Sequence, residues 1–419
     1  MNVDELLPHA LSGYDPRPLA DRYPGLVPGI ARFDGPGGTL THAAVRDAMA
    51  AYLGSPHVAN DHGGFPASDT SDRIARWARD RVRALLGASG GQVVFGPNMT
   101  TLAAAFTRAV AAGGGLRSGD EVLCTELDHE ANVRPWRAVA ERCGARVRMV
   151  PLPATGILPA EDVAERITER TRWVAITAAS NALGTVPDLR AVVGAAHAVG
   201  ARVFVDAVQA VAHRALDARE VGVDALVTAA YKWYGPHAGA LWVSDEVADD
   251  LTLPEQVESA GTALPDRLEL GTSNFEAMLG TGVAAELLLR RDRGAVVAEE
   301  GRLAGLLMEG LQEAGAQVLG PGPSSPAVRV PVVAFRVPGQ PARTAAARLA
   351  AAGIWLWHGT FYAHAAMRAV TPDGTAPDAL RAGIAAYTTE EDVRTLVRAV
   401  RALHDGVPEH PAATHQESR

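Results

Sequence analysis

From Phe33 onward, short apolar runs of β type alternate with longer amphipathic stretches. The β-type runs include Gln92–Phe95, Glu121–Thr125, Trp173–Thr177, Arg202–Asp206 and Asp224–Thr228. Between them lie 3.6-period patterns such as Leu189–Val199, closed by Gly200 as a helix stop. Strand and helix in alternation predict an α/β domain built on a mainly parallel sheet. Residues 275–314 read as one long helix, and Gly320–Pro326 as a turn or connector. Strand-like Ala327–Val337, helical Ala342–Ala352, strand-like Gly353–Trp357 and Arg381–Ala386, and helical Thr389–Leu403 follow, the mark of a smaller α+β domain. The expected organisation is a proline-rich arm over 1–31, a large domain over 32–290, a small one over 291–406 and a polar, disordered tail over 407–419.

Composition narrows the function. The 419 residues carry a net charge of −9, which argues against a basic nucleic-acid-binding surface. No apolar run approaches the roughly 18 residues of a membrane span. The first residues have acids and no basic n-region, so no signal peptide is expected. Cys124 and Cys143 form neither a disulfide framework nor a metal knuckle, and no metal is expected. A reducing cytoplasm fits these features. One count changes the picture further. Of the 39 basic residues, 38 are Arg and one is Lys232. A bias against lysine explains the scarcity but not the survivor. Arginine replaces lysine where only charge is needed, but not where an amine must lose its proton and attack a carbonyl.

Open parallel sheets bind ligands beyond the carboxyl ends of their strands. After Phe95 comes Gly96-Pro-Asn-Met-Thr-Thr101 and a helix, an N-terminus suited to phosphate. After Thr125 comes a segment with His129 and Asn132, and after Thr177 one with Asn181. Arg202–Asp206 ends on an acid followed by Gln209, and Asp224–Thr228 leads to Tyr231-Lys232. Each residue has a plainer alternative: Asp206, His129, Thr100 and Thr101 as helix caps, Asn181 as a turn residue. Together they supply an imine-forming lysine, an acid for a pyridinium nitrogen, an aromatic ring to stack and a phosphate cup. That is the set pyridoxal 5′-phosphate requires. A nicotinamide fold is disfavoured, because Gly280-x-Gly282-x-x-Ala285 lies in a helical pattern rather than after a strand.

Val205–Gln209, Tyr231–Pro236, Glu126-x-x-His129-x-x-Asn132-x-x-Pro-Trp136, Leu270–Asn274 and Arg381–Tyr387 resemble motifs of the class V aminotransferase family, specifically its cysteine-desulfurase-like branch. The resemblance runs from about Phe33 to Leu403. It implies the fold of fold-type I pyridoxal-phosphate transferases. It further implies that Lys232 carries the cofactor and shuttles the Cα proton, Asp206 pairs with the ring nitrogen, Gln209 bonds the ring hydroxyl and His129 stacks on the ring. Met99, through its backbone N–H, and Thr100 would hold the phosphate, with Thr272 doing so from the partner subunit of a homodimer. Tyr231 stands beside the lysine in place of the usual histidine, and Ala229 in place of a phosphate-binding serine. Asn181 and Arg381 would face the carboxylate of an amino-acid substrate.

Desulfurases of this branch carry a loop cysteine that accepts sulfur. Here the matching stretch is Trp355-Leu-Trp-His-Gly-Thr-Phe-Tyr-Ala363, with Tyr362 at the cysteine position and Trp357 in place of an arginine. His358, Trp357 and Tyr362 are therefore candidates for substrate contact. Trp355, Trp357, Phe361 and Tyr362 either line a pocket for a bulky S-substituent or simply pack within the small domain. The expectation is a C–S lyase acting by β-elimination on an S-conjugated cysteine, in thiol or antibiotic biosynthesis. The alternatives are decarboxylation-coupled oxidative deamination to an aldehyde, then transamination or epimerisation.

Overall fold

In the computed structural model, residues 19–252, 261, 263–322, 328–371 and 375–405 are described. Most of the expected arm, the expected tail and part of the 320–326 connector lie outside the described residues. Thirteen strands are found among the described residues. They are β1 (Ala31–Arg32), β2 (Gln92–Gly96), β3 (Glu121–Thr125), β4 (Arg146–Val150), β5 (Thr171–Thr177), β6 (Arg202–Asp206), β7 (Ala225–Ala229), β8 (Gly239–Val243), β9 (Gln317–Leu319), β10 (Val332–Arg336), β11 (Ile354–Trp355), β12 (Trp357–Gly359) and β13 (Ala379–Gly383).

Seven of them form one sheet in the order β2-β8-β7-β6-β5-β3-β4. β3 to β7 pair in parallel, and β8 runs antiparallel to both its neighbours. Both faces are covered. On β6, Val203 and Val205 join one buried cluster while Phe204 joins the other, in which Phe106, Trp136 and Trp173 pack ring against ring. This is why the strands read as unbroken apolar runs. β8, which the periodicity did not single out, follows the lysine turn after only a few residues.

A second, antiparallel sheet has the order β12-β13-β10-β9, and β1 pairs with β11. The stretch expected to be one long helix is two, Phe275–Leu289 and Arg293–Glu313. The break falls at Asp292, whose side chain caps Ala295 N–H and so starts a new helix. The nicotinamide-like glycines Gly280 and Gly282 are buried inside the first of these helices.

Glu121 fastens the start of β3 to its surroundings. Its buried carboxylate accepts hydrogen bonds from Arg146 and Arg148 on β4 and from the Thr168 hydroxyl. Burial opposes its ionisation, but these donors prevail and hold its pKa at about 2. A carboxyl depressed below its unfolded value adds stability above that value and loses it as pH falls. Glu121→Gln is therefore expected to destabilise the fold at pH 6 by on the order of 1–2 kcal/mol, a figure limited by the exposure of the arginines. In urea titrations the gap to wild type should narrow as pH drops from about 4.5 toward 3. A gap that stays constant with pH would contradict this account.

Candidate active site

The parallel strands bring five chain segments to one edge of the large sheet. There they line a cavity of about 430 Å³. Met99 and Thr100 enter from beyond β2, His129 from beyond β3, Asn181 from beyond β5, Asp206 and Gln209 from the end of β6, and Tyr231 and Lys232 from beyond β7. The second sheet closes the cavity with Trp357 and His358 of β12, Arg381 of β13 and the loop residue Tyr362. Of the site residues expected from sequence, Thr272 alone lies elsewhere. It lines a separate cavity of about 400 Å³, together with His237 and Leu270. The two cavities are neighbours, since the His237 ring stacks on Tyr231 at 5.0 Å.

Lys232 sits in a single 3-10 turn after β7, its ammonium donating to the Pro36 carbonyl. Burial, reinforced by the charge of Arg381 and opposed by Asp206, lowers its pKa to about 7. Asp206 is buried at the end of β6. One oxygen, Oδ1, accepts the Val208 N–H at 3.0 Å. Burial raises its pKa to about 6, against the pull of Val208 and Lys232.

His129 turns out to be both a helix cap and a pocket residue. Its Nδ1 accepts the Ala131 N–H at 3.0 Å, which leaves the hydrogen of the neutral ring on Nε2. Burial, with Lys232 and Arg381 nearby, lowers its pKa to about 4, so the ring is neutral at neutral pH. The helix after β2 is capped by Asn98, not by a threonine: Asn98 Oδ1 accepts the Thr101 N–H at 2.9 Å. The N–H groups of Met99 and Thr100 lie in the first turn, where no preceding helical carbonyl can take them.

Arg381 is 5% exposed. It donates to the Asn181 carbonyl at 2.8 Å, and its guanidinium lies 4.5 Å from the centre of the Phe361 ring. Burial lowers its pKa to about 9. Asn181 in turn donates through Nδ2 to the Phe361 carbonyl at 2.8 Å. Phe361 and Tyr362 both hold left-handed backbone, φ 56° and 57°. Two consecutive bulky residues there are strained, and the strain sits at the cavity mouth. Trp357 is wedged against Gly37, where an added Cβ would lie 2.1 Å from its indole nitrogen. That nitrogen donates to the Asp34 carbonyl at 3.2 Å. Trp355 does not line the cavity. The chain breaks pairing at Leu356, so Trp355 and Trp357 belong to different strands, and Trp355 packs under the Arg32 guanidinium.

Several lining residues escaped the sequence reading. Pro36, Gly37, Thr360 and His364 lie in loops or at helix starts with no distinguishing pattern. Asp128 stands beneath the site, accepting from the Thr125 hydroxyl at 2.6 Å and from Asn132 Nδ2 at 2.9 Å. It clamps the loop that carries His129. Burial, chiefly, raises its pKa to about 7. An acid four residues before Asn132 was its one sequence signal.

The arrangement fits pyridoxal phosphate. Three buried polar atoms on lining residues, Asn181 Oδ1, Gln209 Oε1 and Arg381 Nε, lack partners among the described residues. A buried polar group without a partner calls for a ligand. An amine with lowered pKa, a buried acid, a neutral imidazole and a helix N-terminus complete the set.

The family described as Aminotransferase class-V matches residues 32–396. An uncharacterised protein of Mycobacterium tuberculosis is 32% identical over 412 residues, covering 93% of this chain and 99% of its own. A cysteine desulfurase of Synechococcus elongatus is 30% identical, covering 78% of this chain and 53% of its own. Among solved structures, a cysteine desulfurase from Thermococcus onnurineus superposes with TM-score 0.83 at 25% identity, covering 90% of this chain and 95% of that one. One from Escherichia coli gives 0.81 at 27%, covering 91% and 96%.

Borohydride reduction of the holoenzyme should fix the cofactor on the peptide containing Lys232, and Lys232→Ala should abolish the mass increment. Capture of the cofactor by apo-protein should accelerate through about pH 7 and then level off, following the amine. A rate still climbing at pH 10 would mean an ordinary, solvated lysine.

Proposed function

The chain belongs to the class V aminotransferase family of pyridoxal-phosphate enzymes, and from that premise we propose that it cleaves the Cβ–S bond of an S-substituted cysteine by β-elimination. The products are a thiol, pyruvate and ammonia, with one water consumed. One observation carries the reading: among the described residues, no cysteine lines the cavity that holds Lys232. Cys124 is buried within β3, where burial raises its thiol pKa well above the usual value, and Cys143 closes the helix Glu130–Cys143. A reaction that passes sulfur to a protein thiol needs one at the site. Elimination does not.

Bound pyridoxal phosphate supplies an electron sink that weakens the bonds at the substrate Cα. Lys232 would hold the cofactor through Nζ, and the same amine would carry the substrate Cα proton. Asp206, as a carboxylate, would pair with the ring nitrogen and keep it protonated. The neutral His129 ring would stack on the cofactor, and Gln209 would bond the ring hydroxyl. The first-turn N–H groups of Met99 and Thr100 would take the phosphate, with Tyr231 a further cofactor contact. Arg381 and Asn181 bind the substrate carboxylate, the arginine steadied by the Phe361 ring. Trp357, fixed against Gly37, forms with Tyr362 and His358 an aromatic mouth for the sulfur substituent.

A second reading, decarboxylation-coupled oxidative deamination of the same substrates to an aldehyde, is favoured by one feature. Among the described residues, Arg381 is the one arginine lining the cavity, so the carboxylate has a single strong anchor. The working form is further proposed to be a homodimer with shared sites. Thr272 is placed outside its own subunit's cavity, beside the exposed Leu270, where it is available to the phosphate of a partner.

Incubation with a panel of S-alkyl and S-aryl cysteines should yield thiol and pyruvate in equal amounts. Carbon dioxide with an aldehyde would instead establish the second reading. Gel filtration at micromolar concentration should show a dimer, and Thr272→Ala should weaken cofactor retention. A fully active monomer would remove Thr272 from the site.

A further inference from the structure

Gln209 is the first member of a buried chain that leaves the cavity. Its Nε2 is 3.3 Å from Nε2 of His213, and Nδ1 of His213 is 2.8 Å from Oε2 of Glu300. All three residues are 5–6% exposed. Glu300 belongs to the helix Arg293–Glu313 and does not line the cavity. The chain therefore runs from the end of β6 to an element remote from the reacting atoms.

The direction of these hydrogen bonds follows from the groups. A carboxylate can only accept, so the hydrogen between Glu300 and His213 sits on Nδ1. The atom facing Nε2 is the Gln209 amide nitrogen, which can only donate, so Nε2 is the acceptor. With its nitrogen held, the amide leaves Oε1 without a partner among the described residues. The other oxygen of the carboxylate, Oε1 of Glu300, also lacks a partner among the described residues; Glu300 borders a cavity of about 30 Å³, room for a water or two.

We propose that His213, held by Glu300, is a positioning residue that turns the Gln209 amide so that its carbonyl oxygen accepts the hydrogen of the cofactor ring hydroxyl. The inference rests on Gln209 contacting that hydroxyl. Without the relay the amide is free to rotate and to offer its N–H instead, which favours the ring with its oxygen ionised. The relay differs from ordinary packing in what it controls: the polarity of one hydrogen bond offered to the ring.

The absorption spectrum of the holoenzyme reads this directly, because the hydroxyl-protonated and ionised rings absorb at different wavelengths. Gln209→Leu should lower the share of the shorter-wavelength, hydroxyl-protonated band. His213→Leu and Glu300→Ala should shift the ratio in the same direction, and each should raise the cofactor dissociation constant about three- to tenfold, the scale of one hydrogen bond. Adding His213→Leu to Gln209→Leu should change the spectrum no further. A wild-type band ratio in His213→Leu and Glu300→Ala, with Gln209→Leu altered, would overturn the relay while leaving the Gln209 contact standing. An unaltered spectrum in Gln209→Leu would remove that contact and the relay with it. A double variant shifted well beyond Gln209→Leu would show that His213 acts through packing, which also overturns the proposal. If His213→Leu does not fold, Glu300→Ala supports the same comparison, since it leaves both Gln209 and His213 in place.

Discussion

A buried amine next to a buried guanidinium is the constraint on which the site depends. Lys232 and Arg381 share one cavity, and withdrawal from water disfavours the charge on each. The lysine yields first, because its ordinary pKa is lower and because Arg381 adds repulsion. The result is an amine that is a nucleophile near neutral pH beside a cation that stays charged. This division leaves one cavity with an amine able to attack a carbonyl and a fixed cation able to meet an anion. It also explains why one lysine survives in a chain that otherwise uses arginine. The guanidinium cannot be deprotonated under the same conditions, so the two side chains are not interchangeable here.

The acid partners follow a matching logic. Asp206 and Asp128 are both buried, and burial raises both pKa values. Asp206 has Lys232 nearby and one backbone N–H, which hold its pKa to about 6, so it is charged at neutral pH. Asp128 has a hydroxyl, a backbone N–H and an amide as donors, and it serves as a clamp on the loop behind His129. The two carboxyls also repel each other, which favours charge on one rather than both. Environment thus separates chemically identical side chains into one that lines the cavity and one that braces a loop.

Much of this was legible in the sequence, for a definite reason. Strands covered on both faces must be apolar throughout, so β2, β3, β5, β6 and β7 stand out, and in a parallel sheet their following residues must meet at one edge. Residues 206, 209, 129, 181 and 232 were found by that rule. What depends on the approach of distant segments was not legible. Pro36 and Gly37 reach the cavity through the turn after β1, and Gly37 matters only because Trp357 leans on it. The aromatic stretch 355–362 left open whether its four side chains share one pocket or pack within the small domain. A break in strand pairing at Leu356 sends Trp355 to Arg32 instead, and local spacing does not show such a break. At His129, capping a helix and lining the cavity are compatible. The cap uses Nδ1 alone, which fixes the tautomer and leaves the ring face for other work.

The strain at Phe361 and Tyr362 connects the two sheets. A left-handed pair of aromatic residues persists only where surrounding contacts over-determine it. Here three do so: the Phe361 carbonyl takes the Asn181 amide, the Phe361 ring lies under Arg381, and the Tyr362 carbonyl takes the Glu130 N–H. Each contact joins the loop to a different part of the site: Asn181 and Arg381 on two sides and the helix capped by His129 on the third. The Tyr362 ring is thereby held 5.6 Å from His129 at the mouth while remaining 68% exposed. An exposed aromatic ring fixed by its backbone rather than by packing keeps a free face. With Trp357 it borders the cavity that holds Lys232, so whatever enters or leaves that cavity past the loop meets aromatic faces held in place by contacts elsewhere in the site.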